Sequence, residues 1–189
     1  PTWTQQSYVK ASNIEADDLF GSSVSMSGDG ARFVVGGPGE DSATTTTING
    51  DQASNGALES GAVYVFTFNG TTASQEAYVK ATNTGAGDDF GDSVALSGAG
   101  DTFAVGAPFE DTNATGTCTS GCLNDNTATN SGAVYIYTRS GGSWSSTTTF
   151  VKASNTETGV NSADNFGDAV ALSDGGTTLA VGSPFEDSN

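Results

Sequence analysis

Histidine is missing from this 189-residue chain, and 5 basic residues face 22 acidic ones, a net charge of −17. Losing histidine removes the side chain most often used as a general base. No serine sits in a nucleophile-elbow context either, so an enzyme is not expected. The acidic excess argues against nucleic acid and anionic membranes as partners. It favours cations as ligands, or a solvated surface in a salty medium. No stretch approaches the roughly 20 consecutive apolar residues that span a bilayer, so no membrane insertion is expected. No signal peptide is visible, and the numbering is expected to begin after processing or inside a longer parent.

Cysteine is nearly absent too. Cys118 and Cys122 share one loop as Cys-Thr-Ser-Gly-Cys. A small disulfide loop in an oxidising, extracellular setting is the reading they support, with a pair of reduced thiols as the alternative. A metal site there would lack further ligands, because no His and no other Cys exist to complete it.

What is abundant is glycine and the small polar residues, which suit many short strands joined by turns. One pattern occurs three times: Phe20-Gly21, Phe90-Gly91 and Phe166-Gly167 each open a strand of period-two alternation. Val24/Met26, Val94/Leu96 and Val170/Leu172 are its apolar positions. A glycine-rich hairpin follows, and each return strand ends in Gly-x-Pro at Pro38, Pro108 and Pro184, where proline stops the ladder. Long polar loops then lead to Gly61-Ala62-Val63-Tyr64-Val65-Phe66 and Gly132-Ala133-Val134-Tyr135-Ile136-Tyr137, the strongest β signals in the chain. Residues 3–10, 73–80 and 144–152 read as outer strands that end at Lys10, Lys80 and Lys152.

Each unit therefore holds four antiparallel strands, the mark of a β-propeller blade; a β-sandwich or solenoid of meanders is the alternative. The division expected is one repeat domain over residues 1–189. In it, residues 1–10 are the outer strand of a preceding blade, 11–80 are blade 1, 81–152 are blade 2 and 153–189 are a partial blade 3. That makes an all-β chain of eleven strands, about 2.7 blades of an incomplete ring.

At Phe-Gly, Val-Gly-Ala-Pro and Gly-Ala-Val-Tyr-Val-Phe the chain resembles the FG-GAP repeats of integrin-α-like β-propellers. The resemblance implies a ring of usually about seven blades. It also implies a secreted or cell-surface protein that binds partners rather than catalysing a reaction. Integrin-like blades often carry an Asp-rich calcium loop in the first hairpin. Here those hairpins are Ser-Gly-Asp-Gly, Ser-Gly-Ala-Gly and Ser-Asp-Gly-Gly, which lack the alternating carboxylates of an oxygen cage.

Meander geometry sends two sets of loops to one face: those before each Phe-Gly and those after each Gly-x-Pro. All of the 22 acidic residues except Asp29, Glu76, Asp101 and Asp174 fall there. The candidate Ca2+ ligands are Asp17, Asp18, Glu40 and Asp41 in the first unit and Asp88, Asp89, Glu110 and Asp111 in the second. Asp164, Glu186 and Asp187 are their counterparts in the third. The alternative is a solvated acidic face with turn-capping Asp and Asn, its charge neutralised by Lys10, Lys80 or Lys152. Phe20, Phe90 and Phe166 are expected at the blade root, and Tyr64, Tyr135, Trp3 and Trp144 between blades. An exposed Trp would instead stack on sugar.

The function expected is a non-catalytic adhesion module whose acidic face meets a protein or glycan. Its other partners would be further blades, from the same parent chain or from other copies. The alternative is a structural subunit whose open blades assemble into a surface filament or array.

Overall fold

The computed structural model describes residues 2–118, 123, 125–145, 149–157 and 163–187. Among them it is all β, with no helix of a length and apolarity to cross a membrane. The first sheet is a four-stranded meander, β1 (Ser23–Met26), β2 (Arg32–Gly37), β3 (Ala62–Phe68) and β4 (Ala73–Val79), each antiparallel to the next. The second repeats it with β5 (Ser93–Leu96), β6 (Thr102–Ala107), β8 (Ala133–Ser140) and β10 (Thr149–Val151). The third holds only the hairpin of β11 (Ala169–Leu172) and β12 (Leu179–Gly182). These are partial propeller blades, as the threefold motif predicts.

The blades face one another through close backbone approach. A Cβ placed on Gly36 would lie 1.9 Å from the Gly91 carbonyl oxygen, and one on Gly106 1.9 Å from that of Gly167. Only glycine at the end of each return strand lets the next Phe-Gly turn sit this near. The Ser23 hydroxyl donates to Gly91 O at 2.7 Å, and Ser93 donates to Gly167 O at 2.6 Å. At the hairpins, Gly28 N donates to Gly98 O and Gly98 N to Asp174 O. One mainly apolar cluster runs through the first two blades, from Val34, Val63 and Val79 to Phe90, Phe103 and Tyr135. A second, smaller cluster gathers Val35, Tyr64, Phe66 and Tyr78 in blade 1, and the aromatic pairing recurs in both: Phe20 meets Tyr64 edge-on at 5.2 Å, as Phe90 meets Tyr135.

On the opposite side from the long loops, Glu76 in β4 takes both arginines of the chain. Arg32 Nε lies 2.8 Å and Arg139 Nη2 2.7 Å from its two carboxylate oxygens, and Trp144 Nε1 donates to it at 3.3 Å. Burial pushes this carboxyl up, but the hydrogen bonds from Arg32 and Arg139, the Arg32 charge and the Trp144 hydrogen bond outweigh that and leave it lowered. Arg32 also donates to Gly100 O, so the cluster ties blade 1 to blade 2.

Two expectations are corrected. Residues 3–10 form no strand, and Trp3 is 92% exposed rather than packed between blades. Among the described residues no strand pairs with the segment, and an unpaired extended segment has no ladder to hold it. The outer strand of blade 2 is also not continuous. β9 (Ser143–Trp144) pairs with β8, while β10 pairs with β8 and also with β7 (Thr117–Cys118), a two-residue strand inside the long loop. The expected Cys118–Cys122 disulfide includes Cys122, which lies outside the described residues.

Candidate functional site on the long-loop face

The loops before Phe-Gly and those after Gly-x-Pro meet as the meander requires. Asn13 Nδ2 donates to Glu40 Oε1 at 2.9 Å and to Gln52 O at 3.1 Å. Gly87 N and Asp89 N donate to Leu58 O and Glu59 O across the joint between blades. The face is thus knitted by hydrogen bonds between successive loops.

Its centre in each blade is a buried ion pair. Lys80, at the end of β4, places Nζ 3.0 Å from Glu40 Oε2 and donates to Ser60 Oγ at 2.8 Å; neither charged side chain is more than 2% exposed. Blade 2 repeats the arrangement, with Lys152 Nζ 3.0 Å from Glu110 Oε2 and 2.6 Å from Ser131 Oγ. Each carboxylate also accepts from Asn13 or Asn83 and from the backbone N–H of Ser42 or Thr112. The asparagine is held in turn by a tyrosine hydroxyl, Tyr64 to Asn13 Oδ1 at 2.8 Å and Tyr135 to Asn83 Oδ1 at 2.7 Å. Burial pushes both phenols upward, which keeps them as O–H donors. Burial also pushes the Lys80 and Lys152 ammoniums down, and the facing glutamates offset this only in part.

The remaining candidate ligands divide by role. The buried Asp18 and Asp88 accept from Glu15 N and Gly85 N and cap the turn before Phe-Gly. Asp41 and Asp111 accept from Glu59 N and Asn130 N at 2.8 Å, closing their long loops. Asp17 is exposed, with φ of 68°, and Asp89 is half-buried, with φ of 54°. In the third repeat Asp164 is buried with no hydrogen-bond partner for Oδ2 among the described residues, while Glu186 and Asp187 are exposed. Among the described residues no group of three or more Asp, Glu, Cys or His side chains is placed to hold a metal ion.

Asn13, Asn83, Ser60, Ser131 and the two tyrosine hydroxyls were not singled out from sequence as polar partners. Their signal was present: Lys-Ala-x-Asn occurs at Lys10–Asn13, Lys80–Asn83 and Lys152–Asn155, and Pro-x-Glu-Asp follows each return strand.

Several acids crowd the blade joint. Burial, then the Glu110 charge, pushes Asp88 up to about 7. Burial, then Glu59 and Asp92, pushes Asp89 up to about 6. An aspartate raised above its ordinary 3.8 opposes folding while ionised and ceases to as it protonates. Stability contributed at these two sites therefore rises as pH falls from above about 7 toward 4. Asp89→Asn is expected to flatten that part of a melting-temperature profile against pH. An unchanged slope in the variant would count against the raised value.

A family model described as an FG-GAP repeat matches residues 3–66 and again 73–137. No curated protein matches the chain.

Proposed function

The chain belongs to the FG-GAP repeat family, and from that premise we propose that it is a non-catalytic binding module of an extracellular or cell-surface protein. Its long-loop face meets a protein or glycan partner. Repeats of this family are generally non-catalytic and typical of extracellular and cell-surface proteins. The observation that carries the reading is the gathering of long loops on one side, cross-linked from blade to blade, with Asp17, Asp51, Asp125 and Asp187 exposed. A scaffold that rigid, carrying loops that long, is the usual design of a recognition surface. The partner it selects is cationic or rich in hydrogen-bond donors.

The test is a binding screen against immobilised glycans and cell-surface proteins. Asp51→Asn/Asp125→Asn/Asp187→Asn is expected to weaken the hits found, while Asp29→Asn/Asp174→Asn on the opposite face is not. Equal loss in both variants would sink the assignment of the face.

Calcium is the expectation the geometry supports least. Glu40, Glu110, Asp18, Asp88, Asp41 and Asp111 already accept hydrogen bonds from protein donors. We infer that these carboxylates are structural, and the melting temperature is expected to be the same in millimolar Ca2+ and in chelator. A rise with Ca2+ would restore the metal. The Cys118–Cys122 bond belongs to the extracellular reading, and intact mass before and after reduction checks it.

A second reading concerns further blades. Gly21 has φ of 102°, like Gly91 at 101° and Gly167 at 103°. The missing Cβ of the latter two makes room for backbone of the blade before, whereas among the described residues, its chain neighbours apart, nothing lies within 4 Å of the Cβ position at Gly21. Beside it, Tyr8, Val24 and Met26 are exposed around an apolar groove of about 440 Å3. The face is formed as if for a preceding blade, supplied by the parent chain or by another copy. Sedimentation across a concentration series separates the two: mass that grows with concentration points to other copies, and a constant monomer mass to the parent chain.

A further inference from the structure

Two Asn-x-Thr tripeptides occur in the chain, Asn69-Gly70-Thr71 and Asn113-Ala114-Thr115. The fold treats them differently. Asn69 opens the turn between β3 and β4, on the side opposite the long loops. Its side-chain Oδ1 accepts from Thr71 N at 3.0 Å and from Thr72 N at 2.8 Å. Both bonds fall on the carbonyl end of the amide, so its orientation is fixed while Nδ2 donates to nothing among the described residues. Residues 69–72 are all exposed, and no atom lies within 4 Å of the Cβ position of Gly70. Asn113, by contrast, already gives its Nδ2 to Thr127 Oγ1 at 2.9 Å inside the second long loop.

We propose that Asn69 is an N-glycan acceptor, the modification that an exposed Asn-x-Thr turn invites in a secreted protein. The inference rests on the extracellular reading above. The donor is a polyprenyl-diphosphate-linked oligosaccharide. A bond forms between Asn69 Nδ2 and the sugar C1 as the C1–O bond to the diphosphate breaks. The polyprenyl diphosphate leaves with the electron pair, and Nδ2 gives up one proton to a base of the transferase. In the folded product the two bonds to Oδ1 survive, so the turn is kept. A glycan here leaves the acidic face clear for its partner and hydrates the end of the blade that carries Glu76 and the arginines.

The experiment expresses the full chain behind a yeast secretion leader and maps Asn69 in the secreted and cell-retained pools. The readouts are intact mass and conversion of Asn69 to labelled Asp by peptide N-glycosidase in heavy-oxygen water. One glycan at Asn69 is expected. Asn69→Gln and Thr71→Ala abolish it, and Thr72→Ala and Asn113→Gln leave it in place. An unmodified Asn69 in both pools overturns the proposal. Because occupancy is read in both pools, poor secretion bears on the extracellular reading and an empty Asn69 bears on the acceptor.

Discussion

Glu40→Ala is expected to destabilise the protein by about 3–5 kcal/mol, the range for removing one partner of a buried ion pair. The loss comes less from the pair than from what stays behind. Lys80, which is fully buried, would keep only Ser60 Oγ at 2.8 Å. Asn13 Nδ2 and Ser42 N would each lose an acceptor, and each stranded donor costs about 1–3 kcal/mol. The paired replacement Glu40→Leu/Lys80→Met removes both charges at similar volume and is expected to recover much of the loss. Glu110→Ala should behave as Glu40→Ala does, since Lys152 is held in the same way. Chemical denaturation measures all three variants. A loss below about 1 kcal/mol for Glu40→Ala, the range of exposed pairs, would mean that the site is wetter than described.

Gly106→Ala carries the second large effect. The new methyl would sit 1.9 Å from the carbonyl oxygen of Gly167 and 2.9 Å from its carbon, both backbone atoms, so no rotamer change relieves the clash. The hairpin β11–β12 must move away, breaking the Ser93-to-Gly167 bond. A cost of about 3 kcal/mol is expected, the upper end for an added methyl in a packed site. Hydrogen exchange should show protection lost first over residues 169–182. Gly175→Ala, with no atom within 4 Å of its Cβ position, is the control and is expected to stay within about 0.5 kcal/mol of the parent. Equal behaviour of the two variants would refute the close approach.

Blade architecture was legible because turn chemistry and alternation agree at every repeat. Phe-Gly, a glycine-rich hairpin and Gly-x-Pro each restrict the backbone for a separate reason, and three copies leave little freedom. Residues 3–10 share the pattern of 73–80 yet form no strand, because pattern alone does not supply the neighbouring strand that would pair them. Thr117–Cys118 was invisible for the opposite reason: two residues carry no period, and only β10 makes them a strand. The lysines were visible as a triplet, and neutralisation of nearby acids was one of the readings open. The burial of Lys80 and Lys152 was not visible, because lysine is seldom found inside. It is the surrounding asparagine, serine and glutamate, distant in sequence, that make the interior habitable for Lys80 and Lys152. The Gly-x-Pro ending each return strand was legible as a strand stop through its proline, and its glycine carried no separate reading. That it also marks where two sheets nearly touch needs the carbonyl of the next repeat.

The arrangement of Arg32 and Arg139 around Glu76 has an electrostatic corollary. Both arginines sit at one pole, and two of the three lysines are enclosed within the blades. The exposed carboxylates of the opposite pole thus face solvent with Lys10 as their one nearby basic counter-charge among the described residues, and the molecule carries a strong dipole moment. A positively charged body approaching within a Debye length, about 10 Å in 0.1 M salt, would be rotated toward that pole before touching it. Its association rate should drop as ionic strength climbs, even where the final complex hardly responds to salt.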